Sequence, residues 1–206
     1  MKKRMILNLL LAFILLLSQS IVASAATGYE GYAIHRDGAF FGTTWHAGLM
    51  DEPYSDDYLP VLHIGGLSGG VKWDSWDNFI NGNTFKGVYK PKSGITSSGR
   101  DLVKATGRAL RTENIGYTPL SQIDYPVSVL GQTWVFTDDI SLIRCDGVVE
   151  YSYEWNGYRI YGSDDYWDIS RATLGHLTHH SLALVTPKTQ AQDNMTLVRS
   201  TEPVSP

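Results

Sequence analysis

The sequence predicts an α+β fold, a single domain whose strands come first and whose last helix packs late against an antiparallel sheet. Three observations carry this expectation. Between Tyr29 and Pro91, short runs of β-branched and aromatic residues are punctuated by Gly, Pro and Asp turns. From Ser98, apolar residues recur at helical spacing. From Cys145, the run CDGVVEYSYEW reads as a second helix.

The elements follow in chain order. Lys2, Lys3 and Arg4, the apolar run Met5 to Leu17 and the small residues Ala23-Ser24-Ala25 predict a signal peptide over 1–25. That run is shorter than the ~20 residues of a spanning helix, so the expectation is a secreted chain with no stable membrane insertion after cleavage. Asp37-Gly38, inside YEGYAIHRDGAFF, predicts a hairpin turn. Strands are expected over Thr44 to Met50 and Leu59 to Ile64, with the acidic DEPYSDDYLP between them as a loop. Gly65, Gly66, Gly69 and Gly70 mark a tight turn into Val71-Lys72-Trp73. Asp74 is read as opening one or two helical turns that reach Ile80, and a strand over Phe85 to Tyr89 ends at Pro91.

Ser98 and Asp101 resemble a capping box for a helix carrying Leu102, Val103, Thr106, Ala109 and Leu110 on one face. A looser region with Pro119 and Pro126 precedes a short strand around Thr133 to Phe136. The Cys145 helix is expected to turn Val148, Val149, Ser152 and Tyr153 to one side. The domain is bounded at 26–186, and 187–206 reads as a polar C-terminal tail, partly extended or disordered.

Charge narrows the function. Lys and Arg number 17 against 21 Asp and Glu, with no basic run, which argues against a nucleic-acid partner. Twelve Tyr and six Trp suit a sugar or peptide surface, although aromatics also fill β-rich cores. Cys145 is the single cysteine, so the chain has no internal disulfide and the thiol is either a small buried hydrophobe or a reactive group. A thiol nucleophile needs an imidazole to take its proton and a third polar group to orient that imidazole. His46, in TTWHAGLM, and His63, in LPVLHIGG, sit on neighbouring predicted strands and supply both. A helix N-terminus at Cys145 favours thiolate through its unpaired N–H groups. His176, His179 and His180 have helical spacing but lack the Glu of an H-E-x-x-H pattern, so no metal or other cofactor is expected. Gly66-Leu67-Ser68-Gly69-Gly70 fits neither a serine-protease turn nor a dinucleotide loop.

Three short motifs resemble the NlpC-like cell-wall cysteine peptidases. His46-Ala47-Gly48-Leu49-Met50 is similar to that family's His-Val-Gly-Ile-Tyr strand. Val61-Leu62-His63 is similar to its next strand, and Arg144-Cys145-Asp146-Gly147-Val148-Val149 to its nucleophile helix. The cysteine here follows both histidines, so the resemblance is to the circularly permuted branch with a papain-like core. Arg144 and Asp146 depart from the family's residues around the nucleophile. The resemblance implies a Cys145–His46–His63 triad, a Tyr of the substrate cleft carried over to Tyr117, and hydrolysis of an amide bond, foremost in peptidoglycan stem peptides of the cell envelope. It also leaves open a lipid-directed acyltransferase or thioesterase, or a non-catalytic envelope-binding module on the same fold.

Overall fold

The computed structural model describes residues 28–38, 44–52, 59–66, 69–119, 121–126, 134–161 and 185–203. The predicted signal peptide and the His176, His179 and His180 cluster lie outside the described residues. In chain order come β1 (Ala33–Gly38), β2 (Thr44–Met50), β3 (Val61–Ile64), β4 (Val71–Asp74), α1 (Trp76–Ile80), β5 (Phe85–Pro91) and α2 (Ser97–Thr112). Then follow β6 (Gly116–Tyr117), β7 (Ile123–Asp124), β8 (Leu142–Ile143), α3 (Cys145–Glu154), α4 (Pro187–Thr189) and β9 (Met195–Arg199). The fold is α+β. Six strands form an antiparallel sheet in the order β4-β3-β2-β1-β5-β9, and β6-β8-β7 form a small second sheet.

Strand alternation divides the core into two layers. Ala47, Leu49, Leu62 and Ile64 face the main core with Val103 and Leu110 of α2 and Val148 and Val149 of α3. Met50 and Val61 face the other way and pack with Trp76 and Phe79 of α1. Gly48 lies on this second face, where an added Cβ would come within 3.0 Å of both Phe79 and Val61, so glycine lets α1 sit close on the sheet. Each large side chain fully buried in either layer contributes ~1.5–3 kcal/mol of transfer free energy.

Several elements differ from the sequence expectations. β1 runs through Asp37-Gly38 and pairs with β2, so the hairpin turn does not fall there. The Asp37 carboxylate instead accepts from the Thr84 amide at 2.7 Å and pairs with Lys86. The cap of α1 is Ser75, whose hydroxyl accepts from the Asn78 amide; Asp74 ends β4. In α2 the cap is Thr96, Asp101 pairs with Lys104, and Leu102 is 56% exposed, because the buried face runs through Gly99, Val103, Thr106, Gly107 and Leu110. The expected strand around Thr133 to Phe136 is irregular over 134–136, while β6, β7 and β8 are too short for a periodicity to reveal.

The largest departure concerns α3, which has every one of its ten residues buried. The large sheet, α2, the small sheet and the C-terminal segment enclose it. An added Cβ at Gly147 would lie 2.2 Å from the Gln122 carbonyl oxygen, so the loop before β7 lies directly on the first turn of the helix. The segment read as a polar tail closes the remaining side. Gln190 Nε2 donates to the Asp146 carbonyl at 2.9 Å, Ala191 and Met195 join the main core, and β9 pairs with β5 as the last strand of the sheet.

Candidate active site

Three adjacent strands place a chain of polar side chains on the Phe79 face. His46 is the third residue of β2 and His63 the third of β3, while Lys72 and Asp74 alternate with Val71 and Trp73 in β4. His46 Nε2 lies 2.9 Å from His63 Nδ1, and His63 Nε2 lies 3.0 Å from Asp74 Oδ2. Lys72 Nζ holds the same Asp74 oxygen at 2.7 Å. The Phe79 ring supports both imidazoles, with centroids 5.5 Å from His46 and 5.4 Å from His63.

The polarity of this chain follows from its end. Its hydrogen bonds to His63 and Lys72 hold Asp74 at about 2, so it is ionised and only accepts. His63 therefore carries its proton on Nε2. Burial keeps the His63 ring neutral, so Nδ1 accepts from His46 Nε2–H. Burial, and then the neighbouring His63, push His46 well below its usual value, so it too is neutral. His46 Nδ1 is left as a lone-pair acceptor, which is the form a general base requires.

Cys145 is the first residue of α3, after Arg144 as the residue preceding the helix, and it is 4% exposed. No side chain caps this helix, and the first-turn amide of Asp146 bears on the Cys145 sulfur. Arg144 and the fully buried Asp146 form a two-pronged ion pair at 2.6 and 2.8 Å, each neutralising the other beside the thiol. Burial, and then Asp146, push the Cys145 thiol up to about 12, while the amide of Ala47, the charge of Arg144 and the amide of Asp146 oppose that rise. The resting pair is thus a neutral thiol and a neutral imidazole.

His46 and Cys145 approach from different sides of β2. By alternation His46 belongs to the Phe79 face, whereas α3 packs on the face of Ala47 and Leu49. The β2–β3 ladder covers only Met50–Val61 and Leu49–Leu62, and beyond it the two strands no longer pair. At that end a cavity of about 250 Å³ is lined by His46, Cys145, Trp45, Tyr117, Pro119 and Pro187, among others. The residues singled out in the sequence are brought together as follows: His46 bonds His63, and His46, Tyr117 and Cys145 share the cavity. No hydrogen bond joins Cys145 to His46 among the described residues, and neither group shifts the other's titration.

Sequence reasoning missed Asp74, which it assigned to the start of a helix, and Arg36, the cross-strand partner of His46. The alternation in VKWD, with polar side chains two apart, was the available signal for Asp74. Among the described residues no cluster of His, Cys, Asp and Glu has the arrangement of a metal site. No protein-family model, no curated protein and no solved structure matches the chain.

Proposed function

We propose that this chain is a secreted cysteine hydrolase that cleaves an amide bond, foremost in peptidoglycan stem peptides, with a permuted NlpC-like arrangement of its nucleophile and histidines. The observation that carries the reading is the hydrogen-bonded run Asp74–His63–His46, which leaves His46 Nδ1 as an acceptor on a residue that lines the same cavity as Cys145. A neutral thiol needs such an acceptor to react near neutral pH, a requirement that a module that only binds does not have.

In the reaction, Cys145 Sγ attacks the scissile carbonyl carbon as its proton passes to His46 Nδ1, forming a tetrahedral oxyanion. First-turn amides of α3 donate to that oxygen. The oxyanion collapses, the carbon–nitrogen bond breaks, and His46 returns the proton to the departing amine. Water then attacks the thioester, giving one proton to His46, and the acid product leaves as the proton returns to Cys145 sulfur. His63 steadies the His46 cation while it lasts, and Asp74 steadies His63. Tyr117 lines the cavity and contacts substrate.

The walls formed by Trp45, Tyr117, Pro119 and Pro187 also suit an apolar acyl group, which favours a thioesterase as the second reading. Incubation of the mature protein with purified peptidoglycan, and separately with an acyl thioester, followed by mass analysis of products, tests both. Release of peptide fragments by wild type and not by Cys145→Ala supports the amidase. Turnover of the thioester alone supports the second reading, and no product in either arm overturns both.

A further inference from the structure

A side chain outside the relay completes the picture of what the site accepts. Arg36 is the register partner of His46 across β1 and β2, and its guanidinium carbon lies 5.5 Å from the centroid of the same Phe79 ring that supports the two imidazoles. Its Nη1 donates to the Asp37 carbonyl at 2.7 Å. Its Nε is buried with no partner, and its Nη2 makes no hydrogen bond among the described residues. The neighbouring Asp37 carboxylate acts on Arg36 through its charge alone, its own contacts going to Lys86 and the Thr84 amide. A half-buried guanidinium with no carboxylate of its own costs stability unless something else uses it.

We propose that Arg36 is a specificity-determining residue that receives an anionic group of the substrate, a carboxylate next to the scissile amide. This rests on Cys145 being the nucleophile, as argued above. The substrate is then polarised: an apolar or aromatic portion enters between Trp45, Tyr117 and Pro187, and a carboxylate reaches Arg36. The placement is electrostatically consistent, because the Arg36 charge is felt at His46 and His63, and Arg36 in turn responds to Cys145. A planar fork over an aromatic face suits a carboxylate better than an ammonium would.

Two small alkylating probes test this without knowledge of the natural substrate. Iodoacetate and iodoacetamide both transfer a methylene carbon to sulfur with loss of iodide, and differ in carrying a carboxylate or a neutral amide. Their rates at Cys145, located by peptide mass mapping, are compared in wild type, Arg36→Gln and Arg36→Lys, with folding of each checked by circular dichroism. The iodoacetate-to-iodoacetamide rate ratio is expected to fall about tenfold in Arg36→Gln, the lower end for a hydrogen bond to a charged group. Arg36→Lys should recover part of it, and the loss should appear as weaker saturation by iodoacetate rather than a slower limiting rate. An unchanged ratio in a folded Arg36→Gln protein overturns the proposal while leaving the nucleophile intact. Failure of both probes to label wild-type Cys145 at all would instead overturn the reading of Cys145 on which it rests.

Discussion

Replacing Asp74 with Asn separates a proton relay from two histidines that merely pack together. The change conserves shape and removes one charge. An ionised carboxylate can only accept, and that fixes the proton on His63 Nε2 and, one step further, on His46 Nε2. A carboxamide oxygen in the place of Oδ2 can still accept from both Lys72 and His63, but it carries no charge. What the substitution removes is the negative charge that steadies His63, and through it the His46 cation formed when the thiol gives up its proton. Turnover should fall by ~100-fold or more, about 2.7 kcal/mol on the barrier. The structural cost is smaller. Holding Asp74 at about 2 against its usual 3.8 corresponds to ~2 kcal/mol, and solvent screening of a side chain 17% exposed leaves about 1 kcal/mol. Because the folded value is depressed, this stabilisation is complete above about pH 4 and fades as pH falls toward 2. The assay is product release from peptidoglycan beside thermal unfolding from pH 7 down to 2. Full activity of Asp74→Asn would refute the relay. A stability difference undiminished at pH 2 would refute the electrostatic account of Asp74.

Two further outcomes are expected. Cys145→Ala should abolish turnover and cost about 1 kcal/mol of stability, since one sulfur atom leaves a small void beside an open cavity; a chemical denaturation curve and the peptidoglycan assay read both. His46→Ala should be nearly as severe as Cys145→Ala, whereas His63→Gln, which keeps a polar group between His46 and Asp74, should retain measurable turnover and exceed His63→Ala. The reverse ranking would exchange base and orienter.

The parts of the fold written in local pattern were legible. Alternation with Gly and Pro punctuation marks β2 at Thr44–Met50, and β3 and β5 lie within a residue or two of their expected ends. The helix from Cys145 begins where the run CDGVVEYSYEW does. What the pattern does not carry is burial by distant partners. Asp146 and Glu154 look like the wet side of α3, yet both are buried, Asp146 through its ion pair with Arg144. Glu154 is pushed well above the usual carboxylate range by burial and by Glu150. The C-terminal segment reads as polar because its anchoring is done by Gln190, a residue no hydrophobic period counts. The histidines were identifiable as a pair, but Asp74 and Arg36 join them only through strand register, which a single sequence does not print.

The central claim is that His46 takes the proton of Cys145. Its most direct measurement is the rate of iodoacetamide labelling at Cys145 across pH 6–9, in wild type and in His46→Ala. An isolated buried thiol held near 12 must first ionise, so its rate climbs tenfold per pH unit throughout that range. An imidazole held well below 6.5 is already a free base there and accepts the proton as sulfur attacks. The account predicts a rate in wild type that is fast and nearly flat with pH, and a slow rate in His46→Ala that rises tenfold per unit. Parallel tenfold-per-unit rises in the two proteins, with equal rates, would mean that Cys145 has no partner and would contradict the account.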